Sequence, residues 1–204
     1  MTPTLAPPSC TVIICTRDRP GLLDRCLAAV ARLTYPAYKV LVVDNAPSDD
    51  RARAAAARRG ARYLREPVRG LSRARNRGAR ASSSTIVAYV DDDSIPEPSW
   101  LGHLALEFRD PEVMAVTGRI VAIDDPVDAD WLRAWRATLD CGDERRAVDR
   151  QEPAWFEMAN FGGSATAATW HSGAAPSISG PGSTSGWAAV SWWPAERSTT
   201  RSSR

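Results

Sequence analysis

The sequence has little lysine and little net charge. Lys39 is the only lysine among 26 Lys and Arg residues, and the arginines alternate with 24 acidic residues. The formal net charge is therefore only +2. A charge this small and this evenly distributed argues against nucleic acid or an acidic membrane surface as the binding partner.

Cysteine pairs and long apolar runs are also lacking. Cys10, Cys15, Cys26 and Cys141 form no CxxC pair and show no metal-like spacing, so we predict unreactive thiols in a reducing compartment. No apolar run approaches the roughly 18 residues that span a membrane. Residues 1–9 are Pro-rich without the apolar core of a signal peptide, and we predict them to be disordered. These absences favour the cytoplasm and leave peripheral membrane association open.

What the sequence does contain is an alternation of apolar runs and amphipathic segments. This pattern predicts an α/β domain with a mostly parallel sheet flanked by helices. The predicted strands are 11–15, 39–43, 61–64, 85–90 and 113–117, the last continuing through 119–123. The predicted helices begin at Pro20, span about 49–59, begin near Gly70 with Ser72 as N-cap, and span about 97–108 and 128–140.

The composition changes near residue 163. Residues 164–204 contain no Leu, Asn or Asp but include four tryptophans among many Ser, Thr, Ala and Gly residues. Neither a period of 2 nor one of 3.6 is present there. We therefore predict a domain over 10–163, followed by an atypical tail over 164–204 that does not fold as part of it.

Three aspartates, Asp91, Asp92 and Asp93, follow the apolar fourth strand. If the chain stays extended, Asp91 and Asp93 point to the same side. Two carboxylates at the carboxyl end of a buried strand suit Mg²⁺ or Mn²⁺, and open α/β sheets bind ligands at that edge. The alternative is a solvated acidic turn, assisted by Ser94 and Pro96.

Two other strand ends carry polar residues. Asp44 ends the second strand, where its carboxylate suits hydrogen bonds from a nucleobase or ribose; the alternative is a turn-forming role beside Asn45. The end of the first strand offers the Thr16 hydroxyl and the Arg17 guanidinium. Three polar strand ends at one sheet edge favour a ligand site over three independent turns.

The segment 70–78 places positive charge at a helix N-terminus, which favours binding of a pyrophosphate. Arg73 and Asn76 are the residues we favour for this contact. For Arg75 and Arg80 we favour a solvated basic face instead.

These motifs together resemble the family 2 glycosyltransferases. They are Val-Ile-Ile-Cys-Thr-Arg-Asp-Arg-Pro at 12–20, Val-Val-Asp-Asn at 42–45, Arg-Gly-Leu-Ser-Arg-Ala-Arg-Asn-Arg-Gly at 69–78 and Val-Asp-Asp-Asp-Ser-Ile-Pro-Glu-Pro at 90–98. Four motifs in this order are far more specific than the aspartates alone. The resemblance covers about residues 10–163.

The resemblance implies a GT-A fold, a nucleotide-diphospho-sugar donor, a divalent metal (Mg²⁺ or Mn²⁺) and inversion at the anomeric carbon. Carried over by motif, Thr16, Arg17 and Asp44 would hold the base and ribose, and Arg73 and Asn76 would line the donor pocket. Asp91 would touch ribose or metal, and Asp93 would coordinate the metal.

The chain departs from the family after Gly163. The Gly-Gly-Asn-Met-Ala-Phe-like stretch, the Gly-Phe-Asp and the acidic motif with the general base are not found, so no catalytic base is assigned and transfer is predicted to be lost or weak. When 165–172 are back-translated and read from the third codon base, freely chosen wobble bases permit Asp-Gly-Gly-Asn-Met-Ala-Phe. The segment 180–184 permits Ala-Gly-Phe-Asp in the same frame. We hypothesise a reading-frame slip; the rival is a genuine Trp/Ser-rich tail.

Two other functions compete with the transferase. A haloacid-dehalogenase-like phosphatase also carries Asp-x-Asp after a strand, but on its first strand, whereas here the motif follows the fourth. A non-catalytic nucleotide-binding module, or a gene remnant, is the best description if the tail is genuine.

Overall fold

The structure is a computed structural model that describes residues 6–110, 113 and 115–117, together with the backbone of three short strands at 146–147, 168–170 and 189–191. The predicted strand extension over 119–123, the predicted helix over 128–140 and Cys141 lie outside the described residues, as does most of the 164–204 tail.

Strands and helices alternate through the first half of the chain, as the hydrophobic pattern predicts. The elements are β1 (Cys10–Thr16), α1 (Pro20–Val30), β2 (Tyr38–Asn45), α2 (Arg51–Arg58), β3 (Arg62–Glu66), α3 (Leu71–Ala81), β4 (Ile86–Asp91) and α4 (Trp100–Glu107). Shorter strands follow: β5 (Ala115–Thr117), β6 (Arg146–Ala147), β7 (Ala168–Trp170) and β8 (Ala189–Ser191). Two of them, β7 and β8, lie within the 164–204 segment.

The strands form one sheet in the order β3-β2-β1-β4-β7-β5-β8-β6. The first four are parallel, with β1 between β2 and β4. In this register Thr16 lies beside Asp44 of β2, and Cys15 lies beside Asp91 of β4. The strand order therefore reverses beside β1, and such a reversal opens a crevice at the carboxyl ends of the strands.

Apolar side chains cover both faces of the sheet. On one face, buried residues of α1, α2 and α4 pack with Val12, Ile14 and Ile86. On the other face, Ala74 of α3 packs with Ile13, Leu41, Val43 and Val87. Alternate residues of β1 point to opposite faces, so a strand buried on both sides is mostly apolar, and the hydroxyl of the buried Thr11 is hydrogen-bonded to Ser82 and Ser84.

Gly78 brings α3 unusually close to the sheet. A Cβ atom at this position would lie 2.7 Å from Cγ2 of Ile13 and 3.2 Å from Cγ2 of Val43. Glycine is therefore required here for steric reasons, and the close approach fixes the position of α3 against β1 and β2.

The start of α3 corrects one prediction. The helix begins at Leu71, and its N-cap residue is Gly70, with φ 147° and ψ 120° and no side-chain hydrogen bond to the first turn. Ser72 lies inside the helix, so its assignment as N-cap is wrong. The backbone at residue 70 has a positive φ that L residues rarely adopt, and glycine accommodates it.

Residues 1–9 were predicted to be disordered, but Pro8 and Ser9 have ordered backbone contacts. The carbonyl of Pro8 accepts a 2.7 Å hydrogen bond from the Tyr35 hydroxyl, and the carbonyl of Ser9 accepts one of 3.0 Å from the Ile86 N–H. Within the described residues, no helix combines the length and the apolar character needed to cross a bilayer.

Candidate functional site

A cavity of about 380 Å³ opens at the carboxyl ends of β1 and β4, where the strand order reverses. Four segments contribute to its walls: the end of β1 and the loop after it, the end of β2, the loop before α3, and the turn after β4. The lining residues are Cys15, Thr16, Arg17, Arg19, Asn45, Arg69, Gly70, Leu71, Asp91, Asp92 and Asp93.

Asp92 is the most buried of the three aspartates and joins two walls of the cavity. It is 5% exposed, and its Oδ2 accepts a 2.6 Å hydrogen bond from the Thr16 hydroxyl. Its Oδ1 accepts one of 3.2 Å from Nη1 of Arg19, which also lies 3.4 Å from Oδ2 of Asp93. Burial raises the pKa of the Asp92 carboxyl, while Thr16 and Arg19 lower it. Asp92 and Arg19 were not among the predicted site residues.

Asp91 is paired with an arginine that the sequence analysis assigned to solvent. Nη2 of Arg75 lies 3.2 Å from Oδ1 of Asp91, and the Tyr89 hydroxyl donates to the Arg75 carbonyl at 3.0 Å. The interpretation of Arg75 as part of a solvated basic face is therefore wrong. Burial raises the pKa of Asp91, and the Arg75 charge opposes that shift.

The aspartates do not reach the cavity in the way the sequence predicts. Strand β4 ends at Asp91, and the chain turns there, with the Ser94 N–H donating to the Asp91 carbonyl at 3.0 Å. The assumption of an extended chain through Asp93 is therefore wrong. The turn nevertheless brings Asp91, Asp92 and Asp93 to the same cavity, so Asp92 does not point away as strand alternation requires.

The donor set at this turn fits a hard divalent cation. Carboxylate oxygens are the ligands that Mg²⁺ and Mn²⁺ prefer, and Asp91 and Asp93 both face the cavity. Each has an arginine partner, Arg75 for Asp91 and Arg19 for Asp93, and the Asp93 side chain is about half exposed. In the described part of the chain, no set of three or more His, Cys, Asp and Glu side chains is arranged to hold a metal by itself. A cation bound by two carboxylates needs further ligands, and phosphate oxygens of a bound molecule can supply them.

Asp44 lies at the same sheet edge but not on the cavity wall. It is fully buried, and its Oδ2 accepts a 2.9 Å hydrogen bond from the Tyr63 hydroxyl. Its Oδ1 is buried and has no hydrogen-bond partner among the described residues. Burial raises the pKa of this carboxyl. A ligand contact at Asp44 therefore requires local movement, and the assignment stays a prediction.

The remaining predicted residues divide into two groups. Thr16 and Arg17 line the cavity together with Asp91 and Asp93, whereas Arg73 and Asn76 do not. Arg73 is exposed on the first turns of α3, and Asn76 is half-buried there. Their assignment to donor binding stays a prediction.

The predicted site residues did not include Asn45, the loop residues Arg69 and Gly70, or Leu71 at the start of α3. Asn45 follows Asp44 at the end of β2, so its position at a strand end was the available signal. Arg69 precedes the helix whose N-terminus was already singled out.

The three described cysteines, Cys10, Cys15 and Cys26, are free thiols, and burial raises the pKa of Cys15 and Cys26 to about 12.

Comparison with solved structures gives the fold class. The chain is similar to the mannosyltransferase PcManGT of Pyrobaculum calidifontis, whose structure holds GDP-Man and Mn²⁺. The TM-score is 0.56 at 24% sequence identity, over 81% of this chain and 45% of that one. The parallel sheet flanked by helices is thus a GT-A-type fold, as the resemblance implied.

The family model of glycosyl transferase family 2 matches residues 11–168, and the chain belongs to this family. It is 34% identical over 146 residues to an N-acetylglucosaminyltransferase of Rhizobium meliloti, which covers 65% of this chain and 33% of the relative. It is 37% identical over 109 residues to the glycosyltransferase AglE of Haloferax volcanii, covering 50% of this chain and 35% of the relative. The chain thus spans about a third of the length of these relatives. These relatives support neither the phosphatase nor the non-catalytic alternative.

Proposed function

We propose that this chain carries the donor-binding domain, residues 10–163, of a glycosyltransferase that uses a nucleotide-diphospho-sugar and inverts the anomeric carbon. The observation that carries the proposal is the cavity at the strand-order reversal, which is lined by three aspartates and by Arg17, Arg19 and Arg69. An open α/β sheet binds nucleotides at this place. The matched solved structure with GDP-Man and Mn²⁺ supports a donor of the same class.

Each proposed residue has a distinct task in holding the donor. Thr16 and Arg17 line the cavity and are proposed to contact the base and ribose, together with Asp44 at the end of the neighbouring strand β2. Arg73 and Asn76 lie on α3, which begins beside the cavity, and we propose that they contact the bound donor.

Asp91 and Asp93 are proposed to hold Mg²⁺ or Mn²⁺ against the diphosphate. Held by these two carboxylates, a divalent ion would supply Lewis-acid assistance to departure of the nucleotide diphosphate. Oδ2 of Asp93 lies 3.4 Å from the Arg19 guanidinium, which a cation bound through that oxygen would displace. The hydrogen bond from Thr16 to Asp92 would hold the turn in place independently of Arg19.

Calorimetric titration of UDP, GDP and their sugar conjugates, with Mn²⁺ and then with EDTA, tests the proposal. We expect at least one nucleotide to bind with Mn²⁺ and to weaken by about tenfold or more when the metal is removed or when Asp93→Asn is introduced. The control is Asp24→Asn, an equal charge change at a residue of α1 paired with Arg58 and Arg59. Equal effects of the two substitutions, or binding that EDTA does not change, would contradict the metal assignment.

A further inference from the structure

The loop before α3 is attached to the end of β2 by a single side chain. Nδ2 of Asn45 donates to the Val68 carbonyl at 2.8 Å, and Oδ1 of Asn45 accepts from the Gly70 N–H at 2.8 Å. Asn45 is 6% exposed, and both bonds are partly buried. The carboxamide thus spans Arg69 by binding the residue on each side of it.

Further contacts hold the same loop. Oε1 of Glu66, a buried residue, accepts from the Val68 N–H at 2.9 Å, and the Glu66 carbonyl accepts from the Ala46 N–H at 2.7 Å. The backbone on both sides of Arg69 therefore has fixed partners. Its side chain is exposed and lines the cavity.

Arg69 differs from the other arginines of the cavity in its charge environment. Arg19 is paired with Asp92 and Asp93, and Nε of Arg17 lies 3.6 Å from Oδ2 of Asp18. Within residues 6–110, no carboxylate forms an ion pair with Arg69. A guanidinium that borders a cavity without a protein partner is available to an anion, and its planar fork matches phosphate oxygens.

We propose that Arg69 is a specificity residue for the diphosphate part of the ligand, and that Asn45 is the positioning residue that presents it. This inference rests on the proposed function, since it assumes a nucleotide diphosphate in the cavity. Arg69 stands before α3 on a loop whose backbone is held by Asn45, and the aspartates of the β4 turn line the same cavity. A diphosphate bound there would contact the Arg69 guanidinium and a cation held by the carboxylates.

The test is calorimetric titration with UDP and GDP, and with uridine and guanosine, all in Mn²⁺. We expect Arg69→Gln to weaken binding of the preferred diphosphate by about tenfold and to leave the matching nucleoside within about twofold of wild type. Arg80→Gln, the same change at an exposed arginine near the end of α3, is the matched control and is expected to change neither.

Asn45→Leu tests the positioning role. The substitution removes the donor to the Val68 carbonyl and the acceptor of the Gly70 N–H without adding charge to the cavity, and this releases the loop. We expect a selective loss of diphosphate binding, as for Arg69→Gln, and little further loss when the two are combined, because both act on one contact. Additive losses in the double variant would overturn the role of Asn45. A merely structural defect would lower nucleoside binding as well and would equally contradict that role.

The outcomes separate the two proposals. If wild type binds a nucleotide diphosphate and Arg69→Gln binds it equally well, the inference about Arg69 is wrong and the proposed function stands. If wild type binds neither UDP nor GDP, the proposed function fails, and this inference fails with it. Because Arg69 is exposed, its substitution is expected to leave the fold intact, which the thermal unfolding curve verifies.

Discussion

The Thr16 hydroxyl donates a hydrogen bond of 2.6 Å to the carboxylate of Asp92. Both residues are buried, and they lie at the ends of β1 and β4, the neighbouring strands that border the cavity. The bond therefore joins two walls of the proposed donor site. It also partly offsets the cost of burying a carboxylate whose second oxygen is held by Arg19.

Thr16→Val is expected to lower the free energy of unfolding by about 1–3 kcal/mol, because Asp92 then loses a buried hydrogen bond to a charged group. Thr34→Val is the matched control, since the Thr34 hydroxyl donates to the Pro98 carbonyl at an exposed position. Urea denaturation measures both. Equal losses in the two variants would contradict a special contribution from the Thr16–Asp92 bond.

Asp44→Asn is expected to raise stability at neutral pH, and the gain is expected to shrink as pH falls. Burial raises the pKa of Asp44 above its ordinary value of 3.8, so the folded state holds this proton more tightly than the unfolded state. The wild-type residue therefore costs stability as pH rises through the raised pKa. Asparagine removes this titration, and its amide oxygen can still accept the hydrogen bond from Tyr63.

Asp49→Asn is expected to change stability in the opposite direction under the same conditions. Hydrogen bonds from the backbone and side chain of Arg51 lower the pKa of the exposed Asp49 carboxyl. Its contribution is present above the ordinary pKa and is lost as pH falls, so this substitution is expected to reduce stability at neutral pH. Denaturation from pH 3 to 8 measures both variants. An Asp44→Asn gain that does not change with pH would contradict the account.

Gly78→Ala is expected to cost about 1–3 kcal/mol, because the added methyl group collides with Ile13 and Val43. Gly102→Ala in α4 is the control, since a Cβ there meets nothing within 4 Å. That change is expected to be neutral or to stabilise by about 0.5–1 kcal/mol, the usual gain in a helix interior. Thermal unfolding measures the stability of both variants. A Gly78→Ala variant as stable as wild type would contradict the prediction and would mean that α3 can shift away from the sheet.

The reading-frame hypothesis predicts a particular result from the gene. A DNA read from codon 155 onward is expected to show that one inserted or deleted base near codon 163 separates the present frame from one encoding Gly-Gly-Asn-Met-Ala-Phe and then Gly-Phe-Asp. A gene whose codons exclude those residues in the shifted frame would reject the hypothesis. In that case, the Trp/Ser-rich segment over 164–204 is genuine.

Strands β1, β2 and β4 could be predicted from the sequence because each contains a short apolar run followed by a polar residue. Burial on both faces makes the centres of β1 and β4, residues 12–14 and 86–88, apolar, and this pattern is local. The start of α3 after Gly70 could not be predicted from the neighbouring residues. Ser72 is a good N-cap by residue type, but the attachment of the loop to Asn45 sets where the helix begins.

The candidate site could be predicted only in part. Strand ends brought Thr16, Arg17, Asp91 and Asp93 to notice, and all four line one cavity. The role of Arg75 was mistaken because α3 is basic on several sides, so its sequence does not show which arginine faces the sheet.

The rotation of α3 about its axis determines which arginine faces the sheet. This rotation depends on the packing of Ala74 and Gly78 against strands that are distant in sequence. Asp92 was overlooked for a related reason. The turn after Asp91 cancels the alternation of side chains on which the prediction relied.

Amide hydrogen exchange with and without UDP or GDP, in the presence of Mn²⁺, locates the bound nucleotide and so tests whether the donor site lies at this edge of the sheet. We expect slower exchange in peptides containing residues 15–19, 69–71 and 91–93, with α2 and α4 unchanged as internal references. Loss of this protection in Asp93→Asn is expected as well. Protection that falls elsewhere on the chain, or its absence at all three segments, would contradict a donor site at this edge of the sheet.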